Sequence, residues 1–301
     1  MMGTMSHAGG MADPFGIRAW CEMPFLTALL LVFGLAAFAL MILPPQSELE
    51  SAAAQILTAM RVLAMVALMM APLQVLTGVA SMAGTTLVDA LPLAAEVLRQ
   101  THFGKVWVAS APLLLAMAAA TWIPRRSRSR AWLIALIGAA LLMLRAFASH
   151  AVDFGTPAIV LYVVHEGGAA LWGGALLGLL FVARRGELER PAAALVVQRV
   201  SRLAGWCVAL LVASGVYIAY CCLGLSLDHL LYSAYGRTLV AKVTVFAVIA
   251  ALGGYNRYWL MPQFSAASAR SHLMRSVRIE CCLMAGVLVL AVLLANTPPA
   301  H

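Results

Sequence analysis

The sequence predicts an all-α polytopic membrane protein of eight transmembrane helices, with an internal repeat that points to two parallel four-helix halves. Three observations predict it. Of 301 residues, 63% are hydrophobic and 11% charged, with a mean hydropathy of +0.93, whereas a soluble domain carries about 25% charged and 45–50% apolar residues. Eight apolar runs each approach the roughly 20 residues a helix needs to cross the hydrocarbon of a bilayer. Lys and Arg number 20 and fall mostly outside those runs. The net charge of +8 therefore reports topology, and a nucleic-acid partner is excluded.

In order, the runs are Pro24–Leu43, Val62–Ala83, Phe103–Ile123, Ala131–Ser149, Pro157–Ala183, Leu203–Cys222, Leu239–Leu260 and Val277–Ala295. The first follows a polar, Met- and Gly-rich stretch that lacks the basic start and cleavage site of a signal peptide, so none is read. Orientation comes from the basic loops. Arg125, Arg126, Arg128 and Arg130 follow span three; Arg184, Arg185, Arg190, Arg199 and Arg202 follow span five; Arg257, Arg270, Arg275 and Arg278 follow span seven. The alternate loops carry almost none. The arginine-rich loops are expected on the cytoplasmic side and both termini on the outer, periplasmic side. The chain then divides into an outer segment 1–23, an eight-helix membrane domain 24–296 and a short outer tail 297–301.

The repeat is a small-residue pair, an outer loop, then aromatic-Gly-basic at the mouth of the next span. Thr77-Gly78 precedes Phe103-Gly104-Lys105, and Ser214-Gly215 precedes Tyr235-Gly236-Arg237. Both copies have the same orientation, as expected for halves related by an axis along the membrane normal.

Ionisable groups inside spans are costly and by default mark function. Arg61 and Glu280 sit near the cytoplasmic ends of their runs, where snorkelling accounts for them. Arg145 in span four and His165-Glu166 in span five lie deeper, at similar depths on antiparallel neighbours. An Arg145–Glu166 ion pair is expected, because neither charge is tolerable alone there. His165 then sits beside a carboxylate, with His150 and Asp153 near the outer mouth of the same hairpin. Imidazole suits copper, zinc and iron, so this hairpin is the expected metal or proton site. The glycines around Trp172 read as a smooth packing face.

The outer N-terminus carries Met5, His7 and Met11 in a Gly-rich stretch. Thioethers favour Cu(I), and such a stretch cannot pack as core, so it reads as a metal-collecting arm. Met60, Met65, Met69 and Met70 in span two read as adaptable packing. Six cysteines form no Cys-x-x-Cys pair; a disulfide from Cys21 to Cys221-Cys222 requires span one to neighbour span six. His102 and His229 lie in outer loops. No Ser-His-Asp order, paired-carboxylate arrangement or His-Glu-x-x-His motif is present, so an enzyme is not expected.

Several segments carry a resemblance. Arg199-Val200-Ser201-Arg202-Leu203-Ala204, Ser214-Gly215, and Tyr235-Gly236-Arg237 through Lys242 to Tyr255-Asn256-Arg257 and Pro262 resemble the C-terminal half of the copper resistance protein D (CopD/PcoD) family. Ser149-His150-Ala151 and His165 to Leu171-Trp172-Gly173-Gly174 do so as well. The resemblance implies a bacterial inner-membrane protein that moves copper ions from periplasm to cytoplasm in copper homeostasis and resistance. It further implies a separate periplasmic copper-binding partner of the CopC type, with His150 and His165 as metal-site positions. One position departs: the family often has an acidic residue one turn before the span-five histidine, where this chain has Tyr162, and Glu166 is the candidate to replace it. The expected metal residues are thus His150, His165, Glu166, Met5, His7 and Met11, with Arg145 and Asp153 setting local charge. Two alternatives are a membrane electron-transfer protein holding haem or copper and a non-transporting scaffold that delivers copper.

Overall fold

The structure, a computed structural model, describes residues 16–44, 49–124, 127–184 and 191–298. The expected arm residues Met5, His7 and Met11 lie outside the described residues. Ten helices follow one another: α1 Ile17–Met41, α2 Glu50–Ala83, α3 Leu87–Gln100, α4 His102–Ala120, α5 Ser127–Phe147, α6 Thr156–Ala183, α7 Pro191–Leu223, α8 Leu227–Tyr232, α9 Ala234–Tyr255 and α10 Ala267–Ala295. A 3-10 turn, His150–Phe154, joins α5 to α6, and α9 continues through a π turn, Asn256–Leu260, and a short 3-10 turn. No strand occurs among the described residues. Among the described residues eight helices are long and apolar enough to cross a membrane, all but α3 and α8, and they correspond in order to the eight apolar runs.

The helices outrun the apolar runs. The second, sixth and eighth spans begin at Glu50, Pro191 and Ala267 rather than at Val62, Leu203 and Val277, so Arg199, Arg202, Arg270 and Arg275 stand on helices and not in loops. Ala, Arg and Gln are good helix formers, and an Arg stem covers apolar surface while its head reaches water; hydropathy therefore stops earlier than the helix does. The first helix likewise starts at Ile17 rather than Pro24, which puts Glu22 on a spanning element. On the face where these arginines gather, several cap helix C-termini. Arg61 Nε donates to the Thr121 carbonyl at 3.1 Å with its guanidinium over Trp122, Arg130 Nη1 to Ile123 O at 3.2 Å and Arg199 Nη1 to Ile42 O at 3.0 Å. Each meets orphan carbonyls at the negative end of a helix dipole.

At the centre α1 crosses α6. A methyl on Gly34 would strike the Ala170 carbonyl, and one on Gly174 would strike the Gly34 backbone, so the two glycines let the backbones touch. Helix α1 also packs on α2, α5 and α10, and α6 on α2, α5, α7 and α10.

The repeat is visible in the local geometry. Helices α2 and α7 both end at a left-handed glycine, Gly84 at φ 63° and Gly224 at φ 62°, followed by the short helices α3 and α8. Thr101 then caps α4 by accepting from Gly104 N at 2.9 Å, as Ser233 caps α9 by accepting from Gly236 N at 2.8 Å. Gly104 and Gly236 lie where a Cβ would collide with the backbone of the preceding short helix, at Val97–Leu98 and His229–Leu230 respectively. Each half is therefore a pair of long helices, a surface helix folded against the next span by a glycine, and two more spans.

Candidate functional site

A cavity of about 920 Å³ enters the bundle from the face where Arg18 and Pro298 lie. Ser149, His150 and Phe154 stand at its mouth, and Tyr162, His165 and Glu166 lower on its wall. The floor is Trp172 packed edge-on against Phe246, ring centroids 5.9 Å apart, with Ile249 and Met284 beside them. From Glu166 to Trp172 is six residues of helix, about 9 Å at 1.5 Å per residue.

The expected Arg145–Glu166 pair is present and is half of a larger network. Arg145 Nε donates to Glu166 Oε1 at 2.9 Å, and Arg145 Nη2 donates to Glu22 Oε1 at 2.8 Å. The other Glu22 oxygen accepts from Asn296 Nδ2 at 3.0 Å. All three charged side chains are nearly excluded from solvent. One guanidinium thus ties α5 to α1 and α6, and Asn296 extends the network to the end of α10. Glu166 Oε2 is buried and makes no hydrogen bond, while Tyr162 and Lys242 lie within electrostatic reach of this carboxylate. Both carboxylates are thus paired with the Arg145 guanidinium, and pairing is what lets such charges lie inside the membrane.

His165 and Glu166 are neighbours in sequence but separate in space, because successive helical residues point about 100° apart at 3.6 residues per turn. Glu166 faces α5, whereas His165 faces α7, where Nδ1 lies 3.0 Å from Ser214 Oγ. Ser214 is fully buried, and its hydroxyl donates to the Leu210 carbonyl at 2.6 Å. With that proton engaged, Ser214 Oγ is left to accept, so the imidazole carries its proton on Nδ1 and its lone pair on Nε2. Gly215 makes the space: a Cβ there would lie 3.3 Å from His165 Cε1. The Ser214-Gly215 pair, read from the sequence as part of a repeat, seats the histidine.

The remaining expected residues are dispersed. His150 is exposed at the mouth, with Nδ1 3.7 Å from Asp153 Oδ2. Among the described residues no group of three or more His, Cys, Asp or Glu side chains is placed to hold a metal ion, so His150, His165 and Glu166 do not share one coordination sphere. His102 Nε2 donates to the Phe147 carbonyl at 2.8 Å and His229 Nδ1 to the Leu223 carbonyl at 3.2 Å, so both join helix ends. Of the span-two methionines, Met60 is core and Met69 faces outward, and none lines the cavity. No disulfide joins Cys21 to Cys221 or Cys222; α1 packs on α2, α5, α6 and α10 rather than on α7.

Three residues at or near the site escaped the sequence reading. Glu22 stood outside the first apolar run, Asn296 one residue past the last, and Lys242 inside the seventh run but three residues from its edge. The signal for Lys242 was available, since it is a basic residue within an otherwise apolar stretch. Glu280 is a correction. It is 2% exposed and accepts from Asn256 Nδ2 in the interior, so it does not snorkel.

Residues 11–158 match the family described as Copper resistance protein D-like, N-terminal domain, and residues 194–294 match Copper resistance protein D. His165, Glu166 and Gly174 fall between the two matched stretches. The chain is 26% identical over 296 residues to Copper resistance protein D of Pseudomonas syringae pv. tomato, covering 93% of this chain and 94% of that protein. It is also 26% identical over 216 residues to Copper transport protein CutJ of Bacillus subtilis (strain 168), covering 67% of this chain but 38% of the relative. No solved structure matches it significantly.

Proposed function

The chain belongs to the copper resistance protein D family, and on that premise we propose that it carries copper ions from the periplasm through the cavity towards the cytoplasm, with His165 as the ligand inside the bundle. The reading takes the arginine-rich face as cytoplasmic and the cavity mouth as periplasmic. The observation that carries it is the seating of His165. Ser214 holds the Nδ1 proton, and a neutral imidazole with an available Nε2 is the form that binds a metal, oriented by a partner on its other nitrogen.

His150 at the mouth is the first contact, and Met5, His7 and Met11 collect the ion ahead of it. A separate periplasmic copper-binding protein of the CopC type would deliver to the same mouth. Among the described residues no cage of three ligands exists, which suits an ion that must leave again. Arg145 keeps Glu166 paired, and Asp153 beside His150 offsets the charge of the entering cation at the mouth.

Vesicles reconstituted with the protein are expected to take up copper faster than protein-free vesicles, and His165→Ala to remove that excess while leaving the protein folded. Uptake unchanged by His165→Ala would reject the assignment. Ser214→Ala should weaken copper binding about 10–100-fold, the usual consequence of removing a group that orients a metal-bound histidine; a direct binding titration on the purified protein measures it.

A further inference from the structure

A second set of buried polar groups lies past the floor of the cavity, towards the arginine-rich face. Met284 and Ile249 belong to the floor. One helical turn beyond Met284 on α10 stands Glu280, and one turn beyond Ile249 on α9 stands Gly253, where a Cβ would lie 3.9 Å from Glu280 Oε2. Asn256, the first residue of the π turn, donates from Nδ2 to Glu280 Oε1. Asn256 is 6% and Glu280 2% exposed. Such turns inside helices often mark functional positions.

Two facts about this pair need a common explanation. Asn256 Oδ1 is buried and accepts no hydrogen bond, and a buried amide oxygen without a donor is destabilising. Glu280 has no Lys, Arg or His within ion-pair distance among the described residues, unlike Glu22 and Glu166. A lone carboxylate cannot be held in that position. A proton on Glu280 removes both difficulties at once: the acid O–H supplies the donor that Asn256 Oδ1 lacks, and the two side chains close a ring of two hydrogen bonds.

The charged and titratable groups of the packed elements lie elsewhere. On α6, Tyr162, His165 and Glu166 are on the mouth side of the floor, as is Lys242 on α9. On α1, Glu22 pairs with Arg145. Past the end of α9, Arg257 donates to the Ser201 carbonyl, and Tyr255, the last residue of α9, stacks on Trp259. On α10 itself Cys281 is within electrostatic reach. Ser276, a turn nearer the arginine-rich face, offers a buried hydroxyl that makes no hydrogen bond.

We propose that Glu280 and Asn256 form a proton-binding site beneath the cavity floor, and that a proton taken up there from the mouth side and released to the arginine-rich side is the coupling ion for passage of the cation. On release the proton leaves the acid for water at that face, and the carboxylate keeps the Asn256 Nδ2–H bond. Coupling rests on the transport reading; the proton site does not.

Infrared spectroscopy of the full chain in lipid tests the site without copper. The carbonyl stretch of a protonated carboxylic acid should be present at mildly acid pH, fade as pH rises, disappear in Glu280→Gln and shift to higher frequency in Asn256→Val. Absence of the band, or its persistence in Glu280→Gln, overturns the proposal, and the wild-type titration decides the matter even if a variant does not fold. In vesicles, an inward-directed proton gradient should accelerate wild-type copper uptake and have no effect on Glu280→Gln. Wild-type uptake that ignores the gradient overturns the coupling, while wild-type vesicles without any copper uptake overturn the transport reading and leave the infrared result standing.

Discussion

Replacement of Arg145 by methionine is expected to destabilise the protein by about 3–5 kcal/mol, the loss observed when one partner of a buried ion pair is removed. The effect is large because one guanidinium serves two carboxylates, Glu166 at 2.9 Å and Glu22 at 2.8 Å. Without it both must take up protons or drag water into the bundle. The expected readout is a sharp fall in thermal stability and in membrane abundance. Combining Arg145→Met with Glu22→Gln and Glu166→Gln should restore most of the stability, since a network replaced as a whole leaves no uncompensated charge. Copper uptake should not return with it, because the charged network on the wall of the cavity is then gone. A single Arg145→Met variant with wild-type stability would show that the network contributes little.

The second large effect is expected at the crossing of α1 and α6. Gly34→Leu puts a side chain where even a Cβ meets the Ala170 carbonyl, backbone against backbone, so nothing can rotate aside. Overpacking a well-filled interior costs about 1–3 kcal/mol and occasionally more. Here the two central helices must also separate, and the seats of Glu22 on α1 and of His165 on α6 move with them. Thermal stability and copper uptake should fall together. Gly286→Ala, on α10 with nothing within 4 Å of its would-be Cβ, is the matched control and should be silent in both measurements.

What could be read from the residues in order was whatever depends on local composition. The eight spans follow from run length. The antiparallel α5–α6 hairpin, with Arg145 and Glu166 at matching depth, follows from a short connection between two runs, so their pairing was predictable. The helix starts were not, because the Arg-bearing turns of α2, α7 and α10 are polar and helical at once, and hydropathy sees only the first property. The same blindness hid Glu22 before its apolar run. His165 and Glu166 looked like a single site because adjacency in sequence was taken for adjacency in space, and one residue step around a helix undoes that.

The sequence by itself determined that this chain lives in lipid, how many times it crosses, and which few ionisable residues it carries inside, because the free energy of placing a charge or an apolar residue in hydrocarbon belongs to each residue and adds along the chain. Only the tertiary structure decided what those residues do. Glu22 reaches Arg145 and Asn296 across the whole length of the chain, His165 finds Ser214 on the next span, and Glu280 turns inward to Asn256 instead of outward to the interface. Each of these depends on how a helix is rotated about its axis and which helix lies beside it. Close contacts at glycines such as Gly34, Gly174 and Gly215 set both, and hydropathy averaged along the chain carries no record of them.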